Sequence, residues 1–198
     1  MNNKSEKSTS LSKEILSWIL AMVCAFLIAE FISKYIIVNA NIPSESMENT
    51  IMTEDRLIAN RLAYKSNDPQ RKDIIVFRYP VDDETLYIKR IIGLPGEKVE
   101  IIGGQIYIDG DSIPLDEDYL PEKWTRANDG YSFEVPQDCY FVLGDNRNYS
   151  EDARFWKELA LEHGMTEEDA DACQFVRRDQ IEGKAMFRYW PITDFKTF

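Results

Sequence analysis

Residues 15–29 run without a charge, and apolar character resumes through Val38, interrupted only by Glu30 and Lys34. A helix over 15–38 would be about 36 Å long, enough to cross a hydrocarbon core of roughly 30 Å. The segment therefore reads as one transmembrane helix rather than a buried core helix, because the run is too long for the latter. Glu30 and Lys34 stand four apart in the order that pairs on one helix face, close enough to its far end to reach the interface. A cleaved leader would use Lys4, Lys7 and Lys13 as its basic region and Val38-Asn39-Ala40 as its processing site. The apolar run exceeds the roughly 7–15 residues of such leaders, so a retained anchor is expected. Those lysines precede the helix, and Glu45, Glu48, Glu54 and Asp55 follow it. The positive-inside bias then puts 1–14 in the cytoplasm and 39–198 outside, a single-pass protein of the cell membrane in contact with the lipid bilayer.

The anchor changes how the charge is read. The 198 residues carry 23 Lys+Arg and 35 Asp+Glu, and residues 1–40 hold only four of the basic and three of the acidic groups. The exported part thus keeps 19 basic and 32 acidic groups, a net of −13. That balance argues against a nucleic-acid partner, because a polyanionic backbone would be repelled. With 44% hydrophobic residues the chain can bury a core, and its length supports one compact domain beside the anchor, expected as a monomer. There is a single histidine, His163, so a multi-His metal centre is excluded and a Ser-His-Asp triad depends on that residue alone. No cysteine spacing resembles a metal site, and no metal or cofactor is expected. Cys24 falls in the membrane segment; whether Cys139 and Cys173 pair is left open by the sequence.

Beyond the anchor the pattern is mainly β. Apolar runs recur at 56–59, 74–77, 86–92, 99–102, 105–108, 140–143 and 185–190. Gly103-Gly104 between the fourth and fifth is a two-residue hairpin link, and Gly93-Leu94-Pro95-Gly96 and Asp109-Gly110 punctuate in the same way. No amphipathic helix of 10–15 residues separates these runs, which favours antiparallel sheets over βαβ units. Residues 109–130 read as polar, acidic loops over one edge. Residues 157–174 break the pattern with strong helix formers, a capping signature from Thr166 to Asp169 and five net negative charges. They read as a helical insertion on the surface.

Few residues can do chemistry. Ser44 and Ser46 stand on a turn begun by Pro43, and Ser46 is eight residues past Val38, so even extended chain keeps it within about 28 Å of the membrane boundary. A serine nucleophile needs a base, and His163 lies in the acidic insertion. Lysine is the remaining strong base, provided that burial lowers its pKa from about 10.4 by about three units. Lys89 is the lysine set in an apolar strand, Leu-Tyr-Ile-Lys-Arg-Ile-Ile. Tyr87, Lys89 and Ile91 share one strand face, and Ile88, Arg90 and Ile92 the other, so one of the two basic residues faces inward if one face is buried. The pattern also allows an edge lysine that snorkels.

Three stretches together resemble the type I signal peptidases. They are Ile-Pro-Ser-Glu-Ser-Met at 42–47, Tyr-Ile-Lys-Arg-Ile-Ile-Gly-Leu-Pro-Gly-Glu at 87–97, and Gly-Asp-Asn-Arg-Asn-Tyr-Ser-Glu-Asp-Ala-Arg at 144–154. Gly-Lys-Ala-Met-Phe-Arg-Tyr-Trp-Pro at 183–191 is similar to that family's closing strand, especially in Gram-positive bacteria. The resemblance covers the anchor and most of the exported domain. It implies a serine endopeptidase with a signal-peptidase/LexA-like fold, Ser46 as nucleophile and Lys89 as general base. It also implies an oxyanion hole from the Ser44 hydroxyl and the Ser46 backbone N–H, Ser150 orienting the lysine, and Asp152 supporting the region through Arg154. For Asp145, Asn146 and Arg147 a structural turn and charge pair is expected as much as direct chemistry. Ile42, Met47, Ile51, Tyr87 and Ile88 match the walls of shallow apolar pockets for small residues at the −1 and −3 positions. The substrates implied are secretory preproteins, presented as extended strands at their signal peptides.

The chain departs from the family at several points. Asn49 stands where Pro often follows the nucleophile, Glu54-Asp55 replaces Gly-Asp, Asn148-Tyr149 replaces Asp-Asn, and Ala153 replaces a frequent Ser. None of these removes Ser46, Lys89, Ser150 or Asp152. Two other readings are a LexA-like self-cleaving repressor, which would need a DNA-binding domain where this chain has its apolar helix, and a catalytically silent β-domain that binds exported proteins or wall material.

Overall fold

The structure is a computed structural model that describes residues 3–198, with side chains described at Leu11 and from Lys13 onward. Lys4 and Lys7, on which the reading of orientation rests, lie outside the described side chains. Helix α1 (Asn3–Tyr35) leads into strands β1 (Ile37–Asn41), β2 (Arg56–Asn60), β3 (Ile74–Arg78), β4 (Leu86–Gly93), β5 (Lys98–Ile102), β6 (Gln105–Ile108), β7 (Tyr131–Glu134) and β8 (Cys139–Leu143). Helices α2 (Trp156–Glu162) and α3 (Glu167–Ala172) follow, then β9 (Val176–Arg177), β10 (Ile181–Trp190) and β11 (Lys196–Thr197).

The stretch Lys13–Tyr35 of α1 is long and apolar enough to cross a membrane and buries none of its length in the protein. The helix stops three residues short of Val38. The β-branched run at 36–38 favours a strand, and Ile37 and Val38 pair with Asn60 and Ala59 of β2. Arg61 ties the junction by bonding its backbone N–H to Ile36 O and its Nε–H to Ile37 O. Among the described residues Glu30 and Lys34 form no ion pair; the Lys34 ammonium lies 5.3 Å from the Tyr35 ring instead.

All strand pairings are antiparallel, in an eight-stranded sheet ordered β1-β2-β10-β3-β4-β8-β9 with β11 added to β10, and a three-stranded sheet ordered β6-β5-β7. Two apolar cores flank the larger sheet. One holds Phe77, Ile91, Phe141 and Trp156, and the other holds Met47, Ile51, Leu57, Val76 and Ile88. Central strands β3 and β4 feed both, which is why Ile74-Ile75-Val76-Phe77 is apolar at every position.

Residues 109–130 form loops, but they are more than a polar cover. Trp124 is buried, Tyr119 stacks 4.0 Å from the Arg90 guanidinium, and Glu117 pairs with the buried Arg147 at 2.5 Å. The helical segment is exposed along most of its length but is anchored to the core. Trp156, Ala160, Ala170 and Cys173 all belong to the first core, because the small alanines let α2 and α3 pack closely on it. Thr166 caps α3 by accepting the Asp169 N–H at 3.2 Å, and the His163 imidazole, exposed at the end of α2, bonds the Leu159 carbonyl. Cys139 and Cys173 are both free thiols.

Glu54 has φ +70°, in the left-handed region that glycine enters freely, and this accounts for the glycine usual at that position. Glu54→Gly is expected to relieve about 1–2 kcal/mol of backbone strain while losing about 0.4–1 kcal/mol to chain entropy. A net gain of roughly 0.5 kcal/mol should appear as a rise of about 1–2 °C in Tm.

Candidate active site

Ser46 sits on the turn between β1 and β2, pinned from below by Met47 and Ile51, which have no exposed surface. The Ile51 N–H bonds the Met47 carbonyl, and the Glu48 N–H bonds the Glu45 carbonyl, closing the turn. From the other side Asn146 holds it twice, through N–H to Ser46 O at 3.1 Å and through Nδ2 to Glu45 O at 3.1 Å. Gly144 makes this approach possible. A Cβ there would overlap both the Ser46 carbonyl oxygen and Ser150 Oγ.

Strand β4 delivers Lys89 to the same point, its Nζ 2.7 Å from Ser46 Oγ. Lys89 is 4% exposed, and burial pushes its pKa down to about 8, against the opposing pull of Asp152, Asp145 and Glu151. Arg90, the next residue, is also buried, so β4 carries one basic group inward on each side. The difference between them is pairing. Asp145 takes the Arg90 guanidinium at 2.8 and 2.6 Å and also accepts the Thr50 hydroxyl, whereas Lys89 has no direct carboxylate partner among the described residues. Paired charge stays charged; a desolvated amine next to a hydroxyl gives up its proton more readily than one in water.

Ser44 Oγ lies 3.4 Å from Ser46 Oγ, facing the same space. Asp152 and Arg154 form a fully buried pair, at 2.8 and 3.0 Å, and Asp152 also accepts the Gly144 N–H at 3.0 Å. Burial raises the Asp152 pKa, but Arg154 and the Gly144 N–H outweigh it and hold the carboxyl below its usual range. Ser150 Oγ is buried with no hydrogen-bond partner among the described residues, so the bond expected between it and the lysine is not formed in this structure. Asp145, Asn146 and Arg147 bond their surroundings: Asp145 takes Arg90, and Asn146 holds the Ser46 turn. Arg147 bonds Gly144 O at 3.0 Å and Glu117, and its guanidinium stacks on Trp124.

Ser46 and Lys89 open into a groove of about 810 Å³. Ile42, Tyr87 and Ile88 line it as expected for walls, but Met47 and Ile51 do not: both are core residues beneath the turn. The groove runs between two strand edges. Among the described residues β1 pairs only with β2, and Leu86–Ile88 of β4 pair only with β3, since β8 joins β4 from Arg90 onward. Asn39, Ala40, Thr85, Leu86, Tyr149 and Glu151 also line it and have no counterpart among the residues picked out from sequence. Tyr149 and Glu151 flank Ser150, so proximity to that motif was an available signal. For Asn39 and Ala40 the signal was the β-branched run that ends the helix.

A family model described as signal peptidase, peptidase S26, matches residues 15–190. The chain belongs to the signal peptidase S26 family. It is a peptidase, and the family's reaction is the removal of signal peptides from preproteins. Its relatives include a probable signal peptidase I-2 of Synechocystis, 37% identical over 180 residues that make up 86% of this chain and 71% of that protein. Signal peptidase IB of Staphylococcus aureus is 33% identical over 202 residues, covering 94% and 95% of the two chains. A crystal structure of a signal peptidase I from Enterococcus faecalis has 34% identity and a TM-score of 0.42, over 60% of this chain and 97% of that one. A groove bounded by two strand edges can accept an extended polypeptide as an added strand.

Proposed function

We propose that the chain is a membrane-anchored serine endopeptidase that cleaves signal peptides from secretory preproteins with a Ser46–Lys89 dyad. The observation that carries this reading is the 2.7 Å approach of a buried, otherwise unpaired lysine amine to the Ser46 hydroxyl at the floor of the groove. In the neutral form Lys89 takes the Ser46 proton as Oγ attacks the scissile carbonyl. The oxyanion is received by the Ser44 hydroxyl and the Ser46 N–H; losing one such donor typically costs about 10²–10³ in rate. The Lys89 ammonium then protonates the departing amine, leaving an acyl-enzyme, and the neutral amine activates the water that releases the signal peptide. Ser150, unpaired and beside this centre, is the hydroxyl available to hold the amine as it exchanges protons. Asp152 and Arg154 fix the segment that carries it.

The preprotein lies between β1 and β4 as an added strand, with Ile42, Tyr87 and Ile88 limiting the −1 and −3 side chains to small ones. Residues 1–14 face the cytoplasm, 15–35 span the bilayer, and 39–198 form the extracytoplasmic catalytic domain. The enzyme works as a monomer and needs no cofactor.

A pH–rate profile tests the base. The competent form is the neutral amine, so kcat/KM on a preprotein should rise about tenfold per unit below pH about 8 and level off above it. A flat profile from about pH 6 to about pH 10 would rule Lys89 out as the base.

A further inference from the structure

The α2–α3 hairpin has no part in the chemistry above, yet it grips the turn at 79–85 that joins β3 to β4. Trp156, fully buried at the start of α2, meets Tyr79 edge-on at 5.4 Å and Tyr87 at 6.3 Å. Tyr79 and Tyr87 are themselves stacked, 4.4 Å apart with planes 3° from parallel. At the end of α3, Cys173 Sγ donates to the Pro80 carbonyl at 3.3 Å. Tyr87 is a wall of the groove, and Lys89 Nζ lies 5.4 Å from its ring.

Edge-to-face contacts fix the orientation of a ring as well as its burial. The Tyr87 ring is only partly buried, so its own burial does not hold it in place; the stack on Tyr79 and edge contacts from Trp156 and, at 6.5 Å, Phe77 do. A misplacement of about 1 Å next to reacting atoms can lower a rate by about 10²-fold.

We propose that the α2–α3 hairpin is a positioning element for the substrate groove: Trp156 holds the Tyr79–Tyr87 stack and so sets how large a side chain fits beside Ser46 and Lys89. The proposal rests on the groove being the preprotein site with Lys89 as its base. Trp156 is a positioning residue, since it touches neither the dyad nor the groove. Loosening its stack widens the wall and lets water reach the Lys89 amine.

The test uses the full chain in detergent with two preproteins that differ only in Ala or Val at the residue before the scissile bond. Folded Trp156→Leu is expected to lose about tenfold in kcat with less change in KM, and to lose about tenfold of the preference for Ala over Val. The acid limb of its pH profile should move upward as Lys89 regains solvent. Trp156→Phe, which keeps an aromatic edge, should restore most of both properties. Should Trp156→Leu fail to fold, Tyr79→Leu removes the same stack from its other side and should give the same three changes. Wild-type preference and an unmoved limb in a folded variant of either kind overturn the proposal. Failure of the dyad itself looks different: Ser46→Ala would still cleave, whatever the hairpin variants do.

Discussion

Lys89→Met and Ser46→Ala should each slow preprotein cleavage by at least about 10⁴-fold, as removal of a nucleophile or its base does in serine hydrolases. Only the first should make the protein more stable. The Lys89 pKa falls from 10.5 to about 8 on burial, so below pH 8 the folded protein holds an ammonium that the unfolded chain solvates better. That shift corresponds to about 3 kcal/mol of lost stability. The loss is fully present below pH about 8, shrinks as pH rises toward 10.5, and is gone above it, because there both states carry the neutral amine. Met fills similar space without the charge. Thermal unfolding in detergent at pH about 7 should therefore place Lys89→Met about 2–3 kcal/mol above wild type, and the gap should close near pH 10.5. Ser46→Ala goes the other way by about 1 kcal/mol, since it deletes the oxygen that accepts from Lys89. A Lys89→Met protein no more stable than wild type at neutral pH would mean that Lys89 is not under this strain.

The second large effect concerns Asp145. Its carboxylate receives two bonds from the Arg90 guanidinium and one from the Thr50 hydroxyl, with no exposed surface of its own. Asp145→Ala leaves a buried guanidinium uncompensated, a change that costs about 3–5 kcal/mol. For a domain of this size that lowers Tm by about 10 °C. Thr50 is in the turn that carries Ser46, so activity should fall even in the fraction that remains folded. The double variant Arg90→Met with Asp145→Leu should regain most of the lost stability, because replacing both members of a buried pair with apolar groups is close to neutral. If the single variant melts within about 1 °C of wild type, the pair is not what holds the turn.

How much of this was legible in the sequence varies with how local the cause is. Lys89 stood out because it is the lysine inside an apolar strand, and burial that shifts a pKa is written into its neighbours Ile88 and Ile91. The Gly103-Gly104 hairpin and the Thr166 cap are also local, and both form. The end of α1 was misplaced because Ile37 and Val38 suit a helix or a strand equally by hydropathy, and only pairing with β2 decides between them. Strand β7 alternates Tyr131, Phe133 and polar partners, but it follows an acidic loop stretch that obscures the pattern. Met47 and Ile51 illustrate the opposite problem. An apolar side chain beside a nucleophile fits a pocket wall and a core equally well until the turn's direction is known. The core role of Trp156, Ala160 and Ala170 was hidden by the acidic residues between them, which cover the outer face of the same helices.

β1 and the Leu86–Ile88 stretch of β4 both border the groove, and an extended chain can lie along them as an added strand. A folded protein presents loops that curve away after a few residues, and its strands are already engaged with neighbours, so it cannot lay a straight segment along both edges at once. On the proposed function, selection against folded proteins comes from the need for a free extended segment and requires no recognition of their sequence. On the same proposal, secreted proteins that have finished folding are safe from a serine nucleophile at the membrane surface, even if small residues happen to stand at suitable spacing along their chains.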